Sequence, residues 1–380
     1  MVDNIVPKSP CGPEEIDYWF NFTTKQPTNI LKYLKYIAII WVQLSSAQEV
    51  SMTQCLFSKL EFNPSFYGAA PCHSFILQSR QQWFGLDSPF RFSNATLSLN
   101  PRPELGIGFK LVNGSEGLGA YQSNTIITGA SWSARLIDFW DYKTTFHMGL
   151  EIGATQKRLD WSKLVFSSEI HPYLGYLGNT TTISPQNSVS NMSVNQGVGF
   201  HLRLNKRSSG SGLRIGGAWH NNFYPFNQQD LSFFDESVLA TRYVLHGSAI
   251  TTSFFNVDQV FSFKFDAQSS LRTSQFTYSV GDGRNRYGDE LLSMAFIGFR
   301  NEMFPSARFN TILFGFTQAF NDYLIGISYD TNVGRLSSNY TYGTFEITMR
   351  KNFCTRKIGP DECFYDNWLN EDKMYRKWEQ

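Results

Sequence analysis

Histidines are the residues of this sequence best suited to acid–base or metal chemistry, but their spacing defines no site. They lack the nucleophile and carboxylate partners, at recognisable spacing, that a catalytic triad requires. The positions considered are His147, His171, His201, His220 and His246. The sequence therefore predicts no catalytic residue, no metal site and no cofactor, and we expect a protein that is not an enzyme.

Cysteines are the second group with possible chemistry. Cys11 lies near the start of the chain, whereas Cys55, Cys72, Cys354 and Cys363 remain in the predicted mature protein. An even number in an exported protein favours disulfides, and four cysteines allow three pairings. Neither a CxxC spacing nor an accompanying pair of histidines suggests zinc. All four are disulfide candidates; their pairing stays open, with Cys354–Cys363 as a hypothesis for the C-terminal region.

Charged residues of both signs form a third group, at alternate positions of segments that are otherwise apolar. Successive side chains of a strand point to opposite faces, so these charges share the face turned away from the apolar one. They are Lys110, Glu151, Arg203, Lys264, Asp266, Glu346 and Arg350. We predict that they face the lumen of a barrel and cross-link its interior or an inserted segment; an ion path is the alternative.

The last hairpin, residues 319–353, shows the strand pattern most clearly. Tyrosine and isoleucine occupy the odd positions of residues 323–329, and Phe345, Ile347 and Met349 alternate with polar residues on the return. One face is thus apolar and bounded by tyrosine, while the other is polar. This pattern is typical of a membrane barrel strand with lipid outside and a polar interior. We interpret the run ending at Phe353 as the closing strand.

Composition is compatible with such a barrel. The 380 residues are 16% aromatic but only 42% hydrophobic, and the net charge is +1. Half of each strand of a membrane barrel faces inward and stays polar, which explains an aromatic-rich chain of low average hydropathy. A near-neutral charge gives no sign of nucleic-acid binding. From composition alone, a soluble β-sandwich remains an equal alternative.

The spacing of strands and turns favours the barrel. About 14 strands are predicted, at 74–84, 89–100, 103–113, 120–134, 143–159, 192–205, 211–223, 241–254, 259–270, 273–281, 289–301, 307–318, 320–331 and 343–353. The longest links, at 160–191, 224–240 and 332–342, all follow odd-numbered strands, as in bacterial outer-membrane barrels, which have long outer loops. We therefore predict an all-β fold, a transmembrane antiparallel β-barrel preceded by a signal peptide.

The N-terminal region has the pattern of a secretory signal peptide. Lys32 and Lys35 precede a short apolar run, residues 36–44, and small residues lead to Ala47. The predicted organisation is a leader or mis-assigned start (1–30), a signal peptide (31–47), a periplasmic N-terminal segment (48–72), an outer-membrane barrel (73–353) and a periplasmic C-terminal tail (354–380). The segment before the barrel folds into or under the barrel mouth, or forms a pad beside it.

Several motifs resemble one protein family. They are FNPSFYGAAPC (62–72), QWFG (82–85), LGIGF (105–109), NGSEGLG (113–119), QKRLDWSKLVF (156–166) and the final hairpin. With these motifs the chain resembles the PorP/SprF family of outer-membrane proteins of the type IX secretion system, over roughly residues 49–353. The tail beyond Phe353, with its two cysteines, departs from the family pattern.

The resemblance implies an outer-membrane barrel that works in protein secretion and gliding motility. Expected partners are outer-membrane lipid, type IX secretion components including a periplasmic motor-linked ring, and a secreted adhesin or effector, but not nucleic acid. Such a barrel would bind or anchor its secreted partner. A diffusion porin or small-solute transporter of the outer membrane is the alternative, since a mixed-charge lumen suits both.

The signal pattern makes a testable prediction about the mature protein. We expect it to begin at about Gln48 and to fractionate with the outer membrane, because signal peptidases cut after small residues such as Ala47. Edman sequencing and intact-mass measurement of the purified protein check this. A soluble protein that retains Met1 would contradict it.

Overall fold

The structure is a computed structural model, and it describes most of the chain from Ser51 to Phe353. The described residues are 51–69, 73–102, 104–117, 119–136, 142–164, 170–171, 173, 175–176, 189–206, 211–221, 240–252, 258–269, 271–282, 293–303, 308–320, 323–333 and 342–353. Among them, no helix has the length and hydropathy needed to cross a membrane. The predicted leader, signal peptide and C-terminal tail lie outside the described residues.

Fourteen antiparallel strands close into a barrel, which confirms the predicted fold class. The barrel strands are β1 (His73–Gln82), β2 (Phe90–Arg102), β3 (Leu105–Glu116), β4 (Tyr121–Arg135), β5 (Tyr142–Leu159), β8 (Val189–Lys206), β9 (Gly212–His220), β10 (Arg242–Thr252), β11 (Asp258–Gln268), β12 (Leu271–Asp282), β13 (Ser293–Met303), β14 (Arg308–Phe320), β15 (Tyr323–Asn332) and β16 (Thr344–Phe353). A short hairpin, β6 (Ile170–His171) with β7 (Gly175–Tyr176), lies between β5 and β8.

The last strand closes the barrel on the first. The pairs of β16 with β1 run from Phe353 opposite His73 to Thr344 opposite Gln82. Because this pairing continues along both strands, neither keeps an open edge. The first and last barrel residues therefore lie at the same rim, as an even number of strands requires.

Each strand has an apolar outer face and a polar inner face. On β16, Phe345, Ile347 and Phe353 are exposed, whereas Glu346 and Arg350 are buried. The other strands repeat this, with exposed phenylalanine, leucine and isoleucine alternating with buried serine, threonine and charged residues. The side chains predicted to face lipid thus form the outer surface, and the polar set fills the inside.

Connection lengths differ between the two ends of the barrel. Residues 160–188, 221–241 and 333–343 connect strands at one end, which we call the loop end. Residues 103–104, 136–141 and 321–322 connect strands at the other, the turn end, where 283–292 is the longest link. The turn end also carries His73 and Phe353.

Residues 51–69 lie inside the barrel, and we call them the plug. The plug contains a single-turn helix, α1 (Lys59–Phe62), and a 3-10 turn, η1 (Pro64–Phe66). Between them Asn63 caps η1, because its side-chain oxygen accepts a hydrogen bond from the Ser65 amide at 2.9 Å. The sequence left open whether this segment enters the barrel or forms a pad beside it; in the structure it occupies the lumen.

The outer face of β11 provides a test of the barrel. Phe263 lies midway along this strand on the apolar face, so Phe263→Arg should destabilise the protein by about 2–4 kcal/mol. Gln259→Arg, on the same face near the rim, should cost about 0–1 kcal/mol. Urea unfolding in lipid vesicles measures both variants. Equal losses would show that β11 does not cross a membrane in this orientation.

Candidate functional site

The plug crosses the lumen and is almost wholly enclosed by the barrel wall. Thr53, Asn63, Ser65 and Tyr67 are each 0% exposed. At its start, the Lys264 ammonium of β11 donates a hydrogen bond to the Ser51 hydroxyl at 2.6 Å. It ends at the turn end, beside the start of β3. A segment this enclosed is part of the folded barrel, not an appendage.

Thr53 is the centre of a charged network at the beginning of the plug. Its hydroxyl donates to Asp330 (2.6 Å) and its amide donates to Glu346 (2.8 Å). Arg80 bridges the same two carboxylates, at 2.9 Å from Asp330 and 3.1 Å from Glu346. Arg300 adds an ion pair to Asp330 at 3.1 Å. One threonine therefore joins the walls contributed by β1, β13, β15 and β16.

This Thr53 network is balanced in charge. Two arginines face two carboxylates, so no net charge is buried, and every carboxylate accepts several hydrogen bonds. Ions taken out of water are tolerated only when paired and hydrogen-bonded in this way. Removing one partner from such a buried set costs about 3–5 kcal/mol, because the remaining charge is left uncompensated.

Aromatic and imidazole rings surround the middle of the plug. The ring of Phe66 stacks on His201, with centroids 4.3 Å apart, and His201 stacks in turn on His147 at the same spacing. His246 lies 5.3 Å from Phe66 and 5.1 Å from Phe62. The inner wall thus presents histidines to the plug's phenylalanines.

Hydrogen bonds fix the orientation of these rings. The Ser65 hydroxyl donates its one proton to Asn63 Oδ1 at 2.6 Å. His201 Nδ1 therefore carries a proton and donates it to the Ser65 oxygen at 2.8 Å. Asn63 Nδ2 donates to His246 Nε2 at 2.8 Å. Two histidines of β8 and β10 therefore hold the Asn63–Ser65 turn through side-chain contacts.

Glu151 of β5 organises the wall near the end of the plug. Its carboxylate accepts a hydrogen bond from the Tyr67 hydroxyl at 3.2 Å and lies 3.4 Å from Lys110 Nζ and 3.1 Å from His220 Nδ1. Lys110 also donates to the Leu60 carbonyl at 3.1 Å. The Glu151 carboxylate and the Lys110 ammonium thus neutralise each other's charge. Glu151 also binds the Tyr67 side chain of the plug, and Lys110 binds the Leu60 backbone.

Inward-facing glycines form a cradle under residues 63–68. Gly108 and Gly129 are opposite each other on β3 and β4, and Gly149 and Gly199 are opposite each other on β5 and β8. A Cβ at Gly108 or Gly129 would overlap the Tyr67 ring, and one at Gly199 would overlap the Asn63 side chain. The wall lacks side chains where the plug approaches most closely.

Gly68 ends the plug with a backbone that only glycine adopts easily. Its φ is +60°, in the left-handed region, and its Cα packs against Gly106 of β3. The Gly68 amide donates to the Ser98 hydroxyl at 2.9 Å. Ser131 of β4 donates to the Tyr67 carbonyl. This turn brings the chain from the lumen to the rim, where β1 starts.

The residues predicted to face the lumen are all buried inside the barrel. Lys110 meets Glu151, and Lys264 meets Ser51. Asp266 pairs with Arg242 at 2.6 Å, and Glu346 pairs with Arg80. Arg350 donates to Asn352 at 3.0 Å, and Arg203 is opposite Arg214 in the register of β8 and β9.

Of the disulfide candidates, only Cys55 falls within the described residues. It is a free thiol in the plug, packed against the apolar core formed by residues such as Leu60, Phe62 and Phe66. Cys72, Cys354 and Cys363 lie outside the described residues. The described part of the chain holds no cluster of histidine, cysteine and carboxylate side chains suited to a metal ion.

A polar turn follows β5 at the loop end. The Ser162 hydroxyl and amide both donate to Asp160, at 2.6 and 3.2 Å. These hydrogen bonds hold the pKa of the exposed Asp160 carboxyl below its usual range. Asp160 therefore caps the short 3-10 turn Trp161–Lys163, and this local structural role explains the carboxylate at this position.

A family comparison decides what kind of barrel this is. Residues 44–350 match the family described as type IX secretion system membrane protein PorP/SprF. The chain belongs to the PorP/SprF family. The match spans both the plug and the barrel, so the plug is part of the PorP/SprF unit. The resemblance found in the sequence is thereby confirmed.

Two solved structures align with most of this PorP/SprF protein but share little sequence with it. A FadL homologue of Pseudomonas aeruginosa aligns with 77% of this chain and 93% of its own, at 8% identity and a TM-score of 0.41. A bacterial polysaccharide outer membrane secretin aligns with 74% and 98%, at 7% identity and a TM-score of 0.38. No curated protein matches the sequence.

The glycine cradle predicts a position-specific effect on stability. Gly108→Ala places a methyl group into the Tyr67 ring, so we expect a loss of about 1–3 kcal/mol from overpacking. Gly114→Ala is the control on the same face of β3, because its Cβ meets the end of a serine side chain that can rotate away. Its effect should stay within about 0.5 kcal/mol. Urea unfolding in lipid compares the two, and equal stability would contradict the cradle.

Proposed function

We propose that this protein is an outer-membrane barrel of type IX secretion that binds or anchors a secreted surface protein, contacts the periplasmic motor-ring components, or does both. Family membership supports a role in secretion, and the plug supports binding over diffusion. A diffusion porin needs a continuous water path, whereas here the inner wall is committed to holding residues 51–69. The plug is the observation that carries this proposal.

The contacts of the plug support a permanent closure. Side chains on opposite sides of the barrel, such as Arg300 and Glu151, bind it through charged hydrogen bonds. A plug that left would expose the two carboxylates and two arginines of the Thr53 network together. These side chains would keep one another as partners but lose the hydrogen bonds of Thr53 and Gln54, and each buried polar group left without a hydrogen bond costs about 1–3 kcal/mol, so the closed state is favoured.

The two ends of the barrel suggest two different roles. Long loops at one end and short turns at the other are the arrangement of outer-membrane barrels, with the long loops outside the cell. We infer that the loop end faces the secreted partner. The turn end, where Phe353 leads into residues 354–380, then faces the periplasm, and we propose that this tail contacts a periplasmic partner.

Bilayer conductance separates this proposal from a porin. The intact protein should give no large, steady channels, whereas deletion of residues 51–68 should open a conducting lumen. Thr53→Val, which removes one hydroxyl from the charged network, is a milder variant. It should produce only brief channel openings. Large steady channels from the intact protein would favour the diffusion porin.

Co-purification tests the secretion partners directly. The full-length protein isolated from native membranes should carry a secreted surface protein or periplasmic secretion components, identified by mass. A variant lacking residues 355–380 should insert normally but lose the periplasmic partner. Recovery of the barrel without any secretion component would overturn the proposed function.

A further inference from the structure

The outer wall of the barrel has a groove across β16 and β1–β4, on the side away from the lumen. Its volume is about 560 Å³. The space exists because Ser79, Ser93 and Ala95 carry small side chains among larger apolar ones. The larger apolar residues that line it are Leu77, Leu111, Ile126, Ile347 and Met349. We call this depression the outer groove.

Three rows of outward-facing side chains cross β1–β4, and their character changes from row to row towards the loop end. The first row, apolar, is Leu77, Ala95, Leu111 and Ile126. The second row, two positions further along each strand, is Ser79, Ser93, Asn113 and Asn124. The third row, two positions further again, is Gln81, Arg91, Ser115 and Gln122. The wall thus changes from apolar to polar and then to basic within about 13 Å, the length of four strand residues.

The second row contains a pair of amides on the outer face of the barrel. Asn113 Nδ2 donates a hydrogen bond to Asn124 Oδ1 at 2.6 Å, and both side chains are exposed. Amides on a lipid-facing wall are costly, so this pair indicates where the hydrocarbon of the membrane ends and its polar layer begins. Because both asparagines also line the outer groove, the groove extends across that boundary.

A second depression, of about 310 Å³, continues the outer groove at the loop end, and we call it the rim pocket. Its lining includes Arg91, Ser115 and Gln122 of the third row, together with Gly119 and Lys163. A Cβ at Gly119 would lie 3.4 Å from Gln122 Nε2, 3.5 Å from Lys163 Nζ and 3.7 Å from Ser115 Oγ. An amide, an ammonium and a hydroxyl, each able to donate a hydrogen bond, therefore surround the space beside this glycine.

The charges at the rim pocket favour an anion. Arg91 is exposed and forms no ion pair with any residue that the structure describes. Lys163 adds a second cation, and Asp87 is the carboxylate among the described lining residues. Glu116, next to Ser115, belongs to the opposite, inward face of β3. Two cations thus face one carboxylate, and a guanidinium binds a phosphate group through two parallel hydrogen bonds.

We propose that the outer groove and the rim pocket together bind one anionic, phosphate-bearing membrane lipid. An acyl chain lies in the groove, and the phosphate lies in the pocket, where Arg91 binds it. The apolar part of the site faces the hydrocarbon of the membrane, and the basic part lies beyond its edge, so the ligand must be an amphiphile with a negative head group. The inference requires a barrel that lies in a membrane, and it is independent of the secretion partners.

Native mass spectrometry of the full-length protein in detergent tests this site. The protein is offered equal amounts of dioleoylphosphatidylglycerol and dioleoylphosphatidylcholine, which have the same acyl chains but differ in net head-group charge. Phosphatidylglycerol should be retained at least about fivefold better, the factor that one basic side chain contributes beside an anionic lipid. Inorganic phosphate is the competitor that represents a free anion, and it should not displace the lipid at equal concentration.

Matched variants locate the lipid. Arg91→Gln should abolish the preference for phosphatidylglycerol, because it removes the cation and keeps a polar side chain. Ala95→Phe fills the outer groove and should weaken retention of phosphatidylglycerol by at least about fivefold, since the acyl chain loses its contact with the wall. Arg102→Gln is the control, because this exposed arginine lies at the opposite, turn end of β2 and its loss should change neither quantity.

Several results would overturn the lipid site. Equal retention of the two lipids, or an unchanged preference in Arg91→Gln, would exclude the phosphate contact. An equal loss in Arg102→Gln would show a general attraction of anionic lipid to the protein. Unchanged retention in Ala95→Phe, or displacement of the lipid by inorganic phosphate at equal concentration, would exclude the acyl chain. Co-purification of secretion components tests the proposed function separately, because no lipid measurement enters it.

Discussion

Charge pairing inside the barrel is the constraint on which the rest of this structure depends. A wall that is apolar outside places its polar alternate residues inside, and there they have little water. The Arg80, Asp330 and Glu346 set shows the solution, because these side chains pair directly with one another and Thr53 supplies further hydrogen bonds to both carboxylates. The plug thus fills the lumen and also supplies hydrogen bonds that stabilise the charged side chains of its wall.

The strands and their facing could be predicted from sequence because both follow from local alternation. A period of two, read in runs such as residues 323–330, sets which residues face lipid without knowledge of any neighbour. It also identified Lys110, Glu151 and Glu346 as inward-facing. Strand number followed from turn spacing, and closure followed from the need to remove edges.

Which inward residues meet could not be predicted, since these contacts join distant parts of the chain. His147, His201 and His246 are far apart in sequence and are brought into one row by the register of β5, β8, β9 and β10, with Gly216 between His201 and His246. Thr53 and Glu346 are separated by 293 positions. Local pattern carries no information about such pairs.

One local signal was available for the plug. Gly106 and Gly108 occupy inward positions of β3 where a barrel wall normally carries side chains. Glycine in a strand marks close approach of another backbone, and the Asn-Pro step before Gly68 marks a compact turn in the segment that approaches. Together they would have favoured the lumen over a pad beside the barrel.

Closure of β16 on β1 has a consequence for the order of assembly. The plug is made before the first strand, yet its binding site includes Asp330 and Glu346 on the last two. Loop-closure entropy opposes contacts of such sequence separation until the intervening chain is organised. The plug is therefore fully secured only when the ring is complete, so a nascent barrel lacking its final hairpin retains a loosely held N-terminal segment. Pairing of the closing hairpin with β1 is therefore the step of assembly that fixes the plug in the lumen.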